Sequence, residues 1–349
     1  MIGNRVRRSG FSHGRRTVSV LASAIAIISL APIPLGSQTP TASTTKTTAA
    51  PKAATPSALP RTPWGDPDLQ GVWNFATLTP LERPRELAEK EVLTDQEAAE
   101  FEKLTLKERT ATLSTGDREW WDPGTKVMNT RRTSLIVDPR DGRVPALTAE
   151  ARKRAAARAD ARRGHGPADS WEDRSISERC IWFGSAGPPM IPGPYNNDVQ
   201  LVQSRDSVVM LNEMIHDVRV IPMDGRPRLG PAIREWMGDS RGHWEGNTLV
   251  VDTTNFTAER NFRGSGEDLH LVERFTRVAN DTIDYQFTAS DPTTWAAPWT
   301  AAFSMTKSQQ PLYEFACHEG NYLSMIGTLS GARAEEKAAA DQGKKTGSK

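Results

Sequence analysis

The sequence predicts a mainly β-sheet domain, an antiparallel meander closed as a barrel, with a few peripheral helices; a sandwich is the alternative. Three observations carry this. Short β-rich runs follow one another from residue 198 to 317, their breaks carry turn chemistry, and 282–288 alternates strictly. Ile283, Tyr285 and Phe287 alternate there with Asp284, Gln286 and Thr288, the pattern of a strand with one buried and one wet face. Closure as a barrel is favoured over a sandwich because it leaves no exposed strand edge.

In chain order, the first element is an export signal over residues 1–37. Five arginines stand in the first 16 residues, no acid precedes Asp66, and an apolar run extends from Val18 to Ala31. Its 14 residues are too few to span a bilayer about 30 Å thick, and Pro32 and Pro34 end it, so cleavage rather than anchoring is expected. Arg15-Arg16 is a loose twin-arginine pattern without the following Phe-Leu, leaving Sec and Tat export both open. Cleavage near Gly36 and Ser37 leaves 39 basic and 43 acidic residues and moves the formal charge from +1 to −4. A mildly acidic chain lacks the basic face that nucleic acid requires. The basic stretch Arg152 to Arg163 reads as a solvated helix face.

Residues 38–61 are almost wholly Thr, Ala, Pro, Ser and Lys and read as a disordered linker. A single β-rich domain is expected over 62–333, with a mixed N-terminal part to about 197 and a loose tail over 334–349. Thr94 and Glu97 form a capping-box pattern opening a helix over 95–108. Ser134 to Val137 reads as a strand and Ala149 to Arg163 as a polar surface helix. The succession of strands then comprises Val199 to Gln203, Val208 to Glu213, Val218 to Pro222, Thr248 to Thr254, Leu269 to Val278, Thr282 to Ala289, Thr300 to Met305 and Leu312 to Cys317. Arg205-Asp206, Asp224-Gly225, Gly246-Asn247 and Asn280-Asp281 separate them.

The two cysteines, Cys180 and Cys317, form the natural disulfide of an exported chain, with two buried thiols as the alternative. Zinc is not indicated, since no CxxC, HxH or HExxH spacing occurs, and no cofactor can be named.

Candidate chemistry gathers at two places. Glu213 to Arg219 packs two acids, His216 and a guanidinium into a short strand region, where Asp217 and Arg219 would share a face opposite His216. His318 and Glu319 follow Cys317 at the end of the last expected strand, where loop residues at a barrel mouth line ligand sites. General acid-base work would fall to His216, Asp217, His318 and Glu319. Arg219, Arg234, Trp236, Arg241, Trp244 and Asn255 are the candidate ligand contacts, a polar and aromatic set around a Gly-rich segment. Gly238-Asp239-Ser240-Arg241-Gly242 matches the GxSxG pattern but is followed by a hairpin rather than the helix of a nucleophile elbow.

Gly65 to Trp73 (GDPDLQGVW), Met237 to Arg241 with Trp244 to Phe256 (MGDSR, WEGNTLVVDTTNF) and Phe315 to Tyr322 (FACHEGNY) resemble an uncharacterised family of exported bacterial proteins. The resemblance spans most of 62–333 and implies no activity or cofactor. Asn247, where an Asp is expected, and His243 depart from the pattern, which argues against His243 as an essential catalyst.

Three functional readings follow. The first is an extracytoplasmic module binding a small polar or carbohydrate-like ligand, periplasmic or released. The others are an acid-base enzyme and an envelope structural protein. Oligomeric state is left open.

Overall fold

The computed structural model describes residues 59–111 and 121–346, all within the unit Pro56–Lys349. The expected export signal and residues 38–58 of the expected linker lie outside the described residues. Ten strands among the described residues form one antiparallel sheet that curls into a nearly closed barrel: β1 (Gly71–Asn74), β2 (Ile136–Asp138), β3 (Asp198–Gln203), β4 (Ser207–Asn212), β5 (Val218–Pro222), β6 (Asp239–Glu245), β7 (Thr248–Thr254), β8 (His270–Ala279), β9 (Thr282–Ser290) and β10 (Trp299–Lys307). The order is β5-β4-β3-β1-β10-β9-β8-β7-β6, with β2 paired to one end of β10. Two meanders, β3 to β5 and β6 to β10, are thus joined by the N-terminal strand. Gly71 to Asn74 pair with Asp198 to Leu201 on one side, and Trp73 and Asn74 with Thr306 and Lys307 on the other.

The seam lies between β5 and β6. A Cβ at Gly242 would stand 2.9 Å from Ile221 Cγ2 and closer still to the Met223 sulfur, so glycine lets the two edges approach. β6 (DSRGHWE) carries three charged residues, one glycine and no β-branched residue, so its composition does not mark it as a strand.

The strands follow the period of two. Trp73, Leu201, Met210, Ile221, Leu249, Phe275, Tyr285, Phe287, Trp299 and Phe303 point inward and are buried. Tyr285 sits amid Phe275 and Phe303, each at 4.9 Å between ring centroids, and Trp295 packs edge-on against Trp299 at 5.6 Å. Segment 182–190 also enters this core: Trp182 and Met190 are buried within it, and the Met190 amide donates to Tyr285 Oη at 3.1 Å.

The helices are α1 (Asp95–Ala111), α2 (Ala149–Ala161), α3 (Cys317–Asn321) and α4 (Met325–Thr346). The Thr94 and Glu97 capping box forms: Glu97 N–H donates to Thr94 Oγ1 at 3.3 Å and Thr94 N–H to Glu97 Oε2 at 2.8 Å. Thr148 caps α2 by accepting from the Ala151 amide.

Three expectations are corrected. Leu312 to Cys317 is not a strand, because the chain leaves the barrel after Lys307 and finds no neighbouring edge; His318 and Glu319 therefore stand on α3. The strand expected to run to Glu213 ends at Asn212, and Met214–His216 forms a tight turn with left-handed Ile215 and His216 (φ 50° and 44°). The alternation expected from Glu213 to Arg219 thus holds only from Val218 onward. Residues 334–346, expected as a loose tail, continue α4, as their Ala, Glu, Lys and Gln content allows.

Candidate functional site

The barrel interior carries a charged cluster amid its aromatic core. Glu273 projects inward from β8 between Leu271 and Phe275 and is fully buried. Arg219 of β5 crosses the interior to meet both its carboxylate oxygens, one contact measuring 3.1 Å, and donates to the Met210 sulfur at 3.0 Å. Tyr285 Oη donates to Glu273 Oε1 at 2.8 Å while accepting from Met190. Burial and the adjacent Glu273 charge hold the Tyr285 hydroxyl well above its usual range, so it remains a donor. This trio is satisfied and closed.

Arg260 is not. It enters the core from the turn Ala258–Arg260 with 2% exposure, its guanidinium 4.8 Å from the Trp182 ring and 4.4 Å from the Phe256 ring. Its Nε, Nη1 and Nη2 have no hydrogen-bond partner among the described residues. Burial, then repulsion from Arg219, lowers its pKa to about 9, with Glu273, Tyr285 and Asp217 opposing. The group still carries its charge at neutral pH. Stacking on two rings compensates part of the lost hydration; it supplies no acceptor for the N–H groups.

Asp217 is a second buried charge that is incompletely partnered. Burial raises its carboxyl to about 6, with His216 and Arg260 pulling the other way. Asp217 and Arg260 form no ion pair within 4.0 Å, yet each influences the other, and Asp217 Oδ2 is buried without a partner among the described residues. Asn212, which donates its amide N–H to the Asp217 carbonyl at 2.9 Å, is 3% exposed and leaves its own Oδ1 unpartnered. Unused polar atoms thus gather where β4 turns into β5.

Above this end stand the histidines. His216 is exposed, its Nδ1 3.2 Å from the Phe315 carbonyl and its ring 6.4 Å from that of His318. Cys180 and Cys317 form a disulfide with Cα atoms 5.9 Å apart, tying α3 to the segment that leads into Trp182. Phe183, Ala186, Met214, Ile215 and Phe315 pack together beside it. His216, Asp217 and His318 therefore share one end of the barrel, with Asp217 Oδ2 buried. Glu319 is exposed on the first turn of α3.

The remaining candidates lie elsewhere. Arg241 contacts Asp239 and donates to the Arg226 and Pro227 carbonyls, while Asn255 Nδ2 donates to those of Leu229 and Gly230. Together they pin loop 223–235 across the outside of β6 and β7. Arg234 reaches the Glu267 carbonyl at 2.8 Å. Trp236 and Trp244 are partly buried against the core. Ser240 lies inside β6, 4% exposed, its hydroxyl 3.0 Å from that of Thr253, which removes it from any nucleophile elbow.

Glu273, Arg260 and Tyr285 were absent from the sequence-based candidates. A lone acid on the apolar face of the strand through Leu271 and Phe275 was the readable sign for Glu273. Arg260 sits in an irregular loop whose direction no periodicity reports.

A second carboxyl cluster lies on the outer side of the same barrel end. Burial raises Asp198 to about 6, Asn74 opposing and Glu213 and Asp122 adding to the rise; Glu213 is raised by its own burial. The fold holds the Asp198 proton more tightly than the unfolded chain, so ionisation costs stability as pH rises from about 4 to 6 and the full cost is present above that. Asp198→Asn should raise stability by about 1 kcal/mol at pH 7.5 after solvent screening of this half-buried group. Thermal melts across pH should show the gain shrinking below pH 6 and absent near pH 4.

No family model matches the chain, and no curated protein matches it. Among solved structures, the crystal structure of a point mutant of the fluorescent protein UnaG aligns with 9% identity, 32% of this chain and 72% of that chain covered, at a TM-score of 0.20. So loose a superposition adds nothing to the strand pairing described above. No described helix is long and apolar enough to cross a membrane.

Proposed function

We propose that this chain is an exported small-ligand-binding β-barrel domain whose ligand places an anionic or strongly accepting group on Arg260. The proposal includes membership of the exported bacterial family that the three motifs resemble. One observation carries the ligand reading: the buried Arg260 guanidinium has three nitrogens without acceptors, while Arg219 nearby is fully met by Glu273. A buried charge without hydrogen-bond partners costs several kcal/mol, which an incoming acceptor returns. The disulfide is in keeping with an oxidising compartment.

Arg260→Met tests this. The variant should be more stable than the parent by about 1–3 kcal/mol without ligand, because it removes an unsatisfied charge. Acetate and benzoate, used as probes, should raise the parent's melting temperature and leave that of Arg260→Met unmoved. A less stable variant, together with no response of the parent to either carboxylate, would make Arg260 a structural stacking residue and end the proposal.

A second reading, acid-base catalysis, draws support from Asp217, whose carboxyl is held near 6 at the same barrel end as His216 and His318.

A further inference from the structure

Resting on the binding role proposed for Arg260, we infer that the ligand is an aromatic carboxylate, its carboxylate on Arg260 and its ring in a cleft that Trp182 shares with that guanidinium. The cleft has a volume of about 310 Å³ and is formed by segments 182–185, 191–194 and 261–263. Two observations join it to Arg260. Trp182 lines it and carries the Arg260 guanidinium 4.8 Å from its ring. Asn261, Phe262 and Arg263, next in the chain after Arg260, line it as well. Asn261, Arg263 and Gly264 adopt left-handed backbone, at φ 49°, 50° and 92°. This tight turn sends Arg260 into the core and brings Arg263 to the cleft. Left-handed backbone is disfavoured for arginine, and such conformations gather at ligand sites whose surroundings enforce them.

The walls select the chemistry. Trp182, Phe183 and Phe262, with Ile191, Pro192 and Pro194, give a mostly apolar lining suited to a flat apolar body. Polar groups are few. Ser185 is 5% exposed and its hydroxyl has no partner among the described residues. Asn261 already spends its Oδ1 on Arg158, and Arg263 is held only loosely, by Glu82 at 3.8 Å. A sugar, whose hydroxyls each need a partner, is poorly served. No Asp or Glu among the described residues lines the cleft. Arg263 at its wall and Arg260 behind Trp182 therefore set a positive field that admits an anion and opposes a cation. Arg260 is 2% exposed, so binding includes a shift of the Trp182 ring, which a hydrogen bond from its Nε1 to the Gly187 carbonyl holds at 2.9 Å. Trp182 and Phe256 pack on the guanidinium, and in-plane hydrogen bonding from its N–H groups is what a carboxylate accepts.

Calorimetry at pH 7.5 with acetate and 3-phenylpropionate as probes decides the matter. Gly184 lines the cleft, and a Cβ added there meets no atom within 4 Å, so a larger side chain enters open space. Gly184→Leu and Gly184→Met are both used, so that misfolding of one leaves the other. The parent should bind 3-phenylpropionate at least about tenfold more tightly than acetate, through burial of the ring. In the Gly184 variants this preference should fall below about threefold while acetate binds as in the parent, which also shows that they are folded. Arg260→Met should lose both acids. Equal binding of the two acids by the parent, both lost in Arg260→Met, would refute the cleft and leave the anion reading of Arg260 standing. A preference unchanged in the Gly184 variants would refute the cleft as the seat of the ring, as would loss of both acids from variants that melt like the parent. Binding of 3-phenylpropionate retained in Arg260→Met would detach the cleft from Arg260 and refute the inference. Failure of both acids to bind the parent overturns this inference and the role of Arg260 together.

Discussion

Glu273→Leu should cost about 3–5 kcal/mol of folding stability, the largest effect expected from a single side chain here. The carboxylate is fully buried and holds Arg219 through both oxygens, while accepting the Tyr285 hydroxyl. Removing it strands Arg219, which is 5% exposed on β5, and takes away the negative charge that offsets the repulsion between Arg219 and Arg260. Apolar burial by the introduced leucine returns about 2 kcal/mol at most, less than the penalty for one unpaired buried ion. Denaturant unfolding of parent and variant measures the difference. The double variant Arg219→Met with Glu273→Leu should recover most of the loss, because replacing a whole buried pair by apolar side chains is close to neutral. No recovery in the double variant would show that the cost lies in cavity shape rather than in stranded charge.

Loss of the disulfide should rank second. Cys180→Ser with Cys317→Ser opens a link of sequence separation 137, for which loop-closure entropy gives about 5 kcal/mol and measured losses in native proteins run to about 2–5 kcal/mol. The consequence should be uneven along the chain. The bond ties α3 to the stretch that delivers Trp182 over Arg260, so its removal should free the His318 end of the barrel before the strands separate. Hydrogen exchange should therefore show lost protection around 180–190 and 317–321 at denaturant levels that leave β7 to β10 protected. Uniform loss of protection would mean that this end and the barrel unfold as one unit.

β-rich runs broken by turn residues, with strict alternation over 282–288, identified β3, β4, β5 and β7 to β10 to within one or two residues, because each has one face against a common core and breaks where the chain must turn. β1 escaped notice. It has four residues, and only pairing with Asp198 to Leu201 and with Thr306 and Lys307 makes it a strand. Leu312 to Cys317 shows the converse: apolar and aromatic content favours extension, but a strand needs an edge to pair with, and none is offered. Of the candidate residues, Arg219 faces the core as its place in Val218 to Pro222 requires. Arg241 and Asn255 hold a loop through bonds to carbonyls that no pattern announces.

Local chemistry alone determined the antiparallel class, the turn positions, the capping box before α1 and the choice of Cys180 and Cys317 as the only partners for each other. All of these depend on near neighbours or on the count of one residue type. The tertiary structure decided that Glu273 meets Arg219 across the interior, that Arg260 packs against Trp182 and Phe256, and that Asp217 Oδ2 is buried. Those encounters join residues tens of positions apart, and closure of the sheet sets them through one shared constraint: buried polar groups must find one another or remain unmet. Arg260, Asp217 and Asn212 keep buried polar atoms without partners among the described residues, and the first of them carries the proposed ligand role.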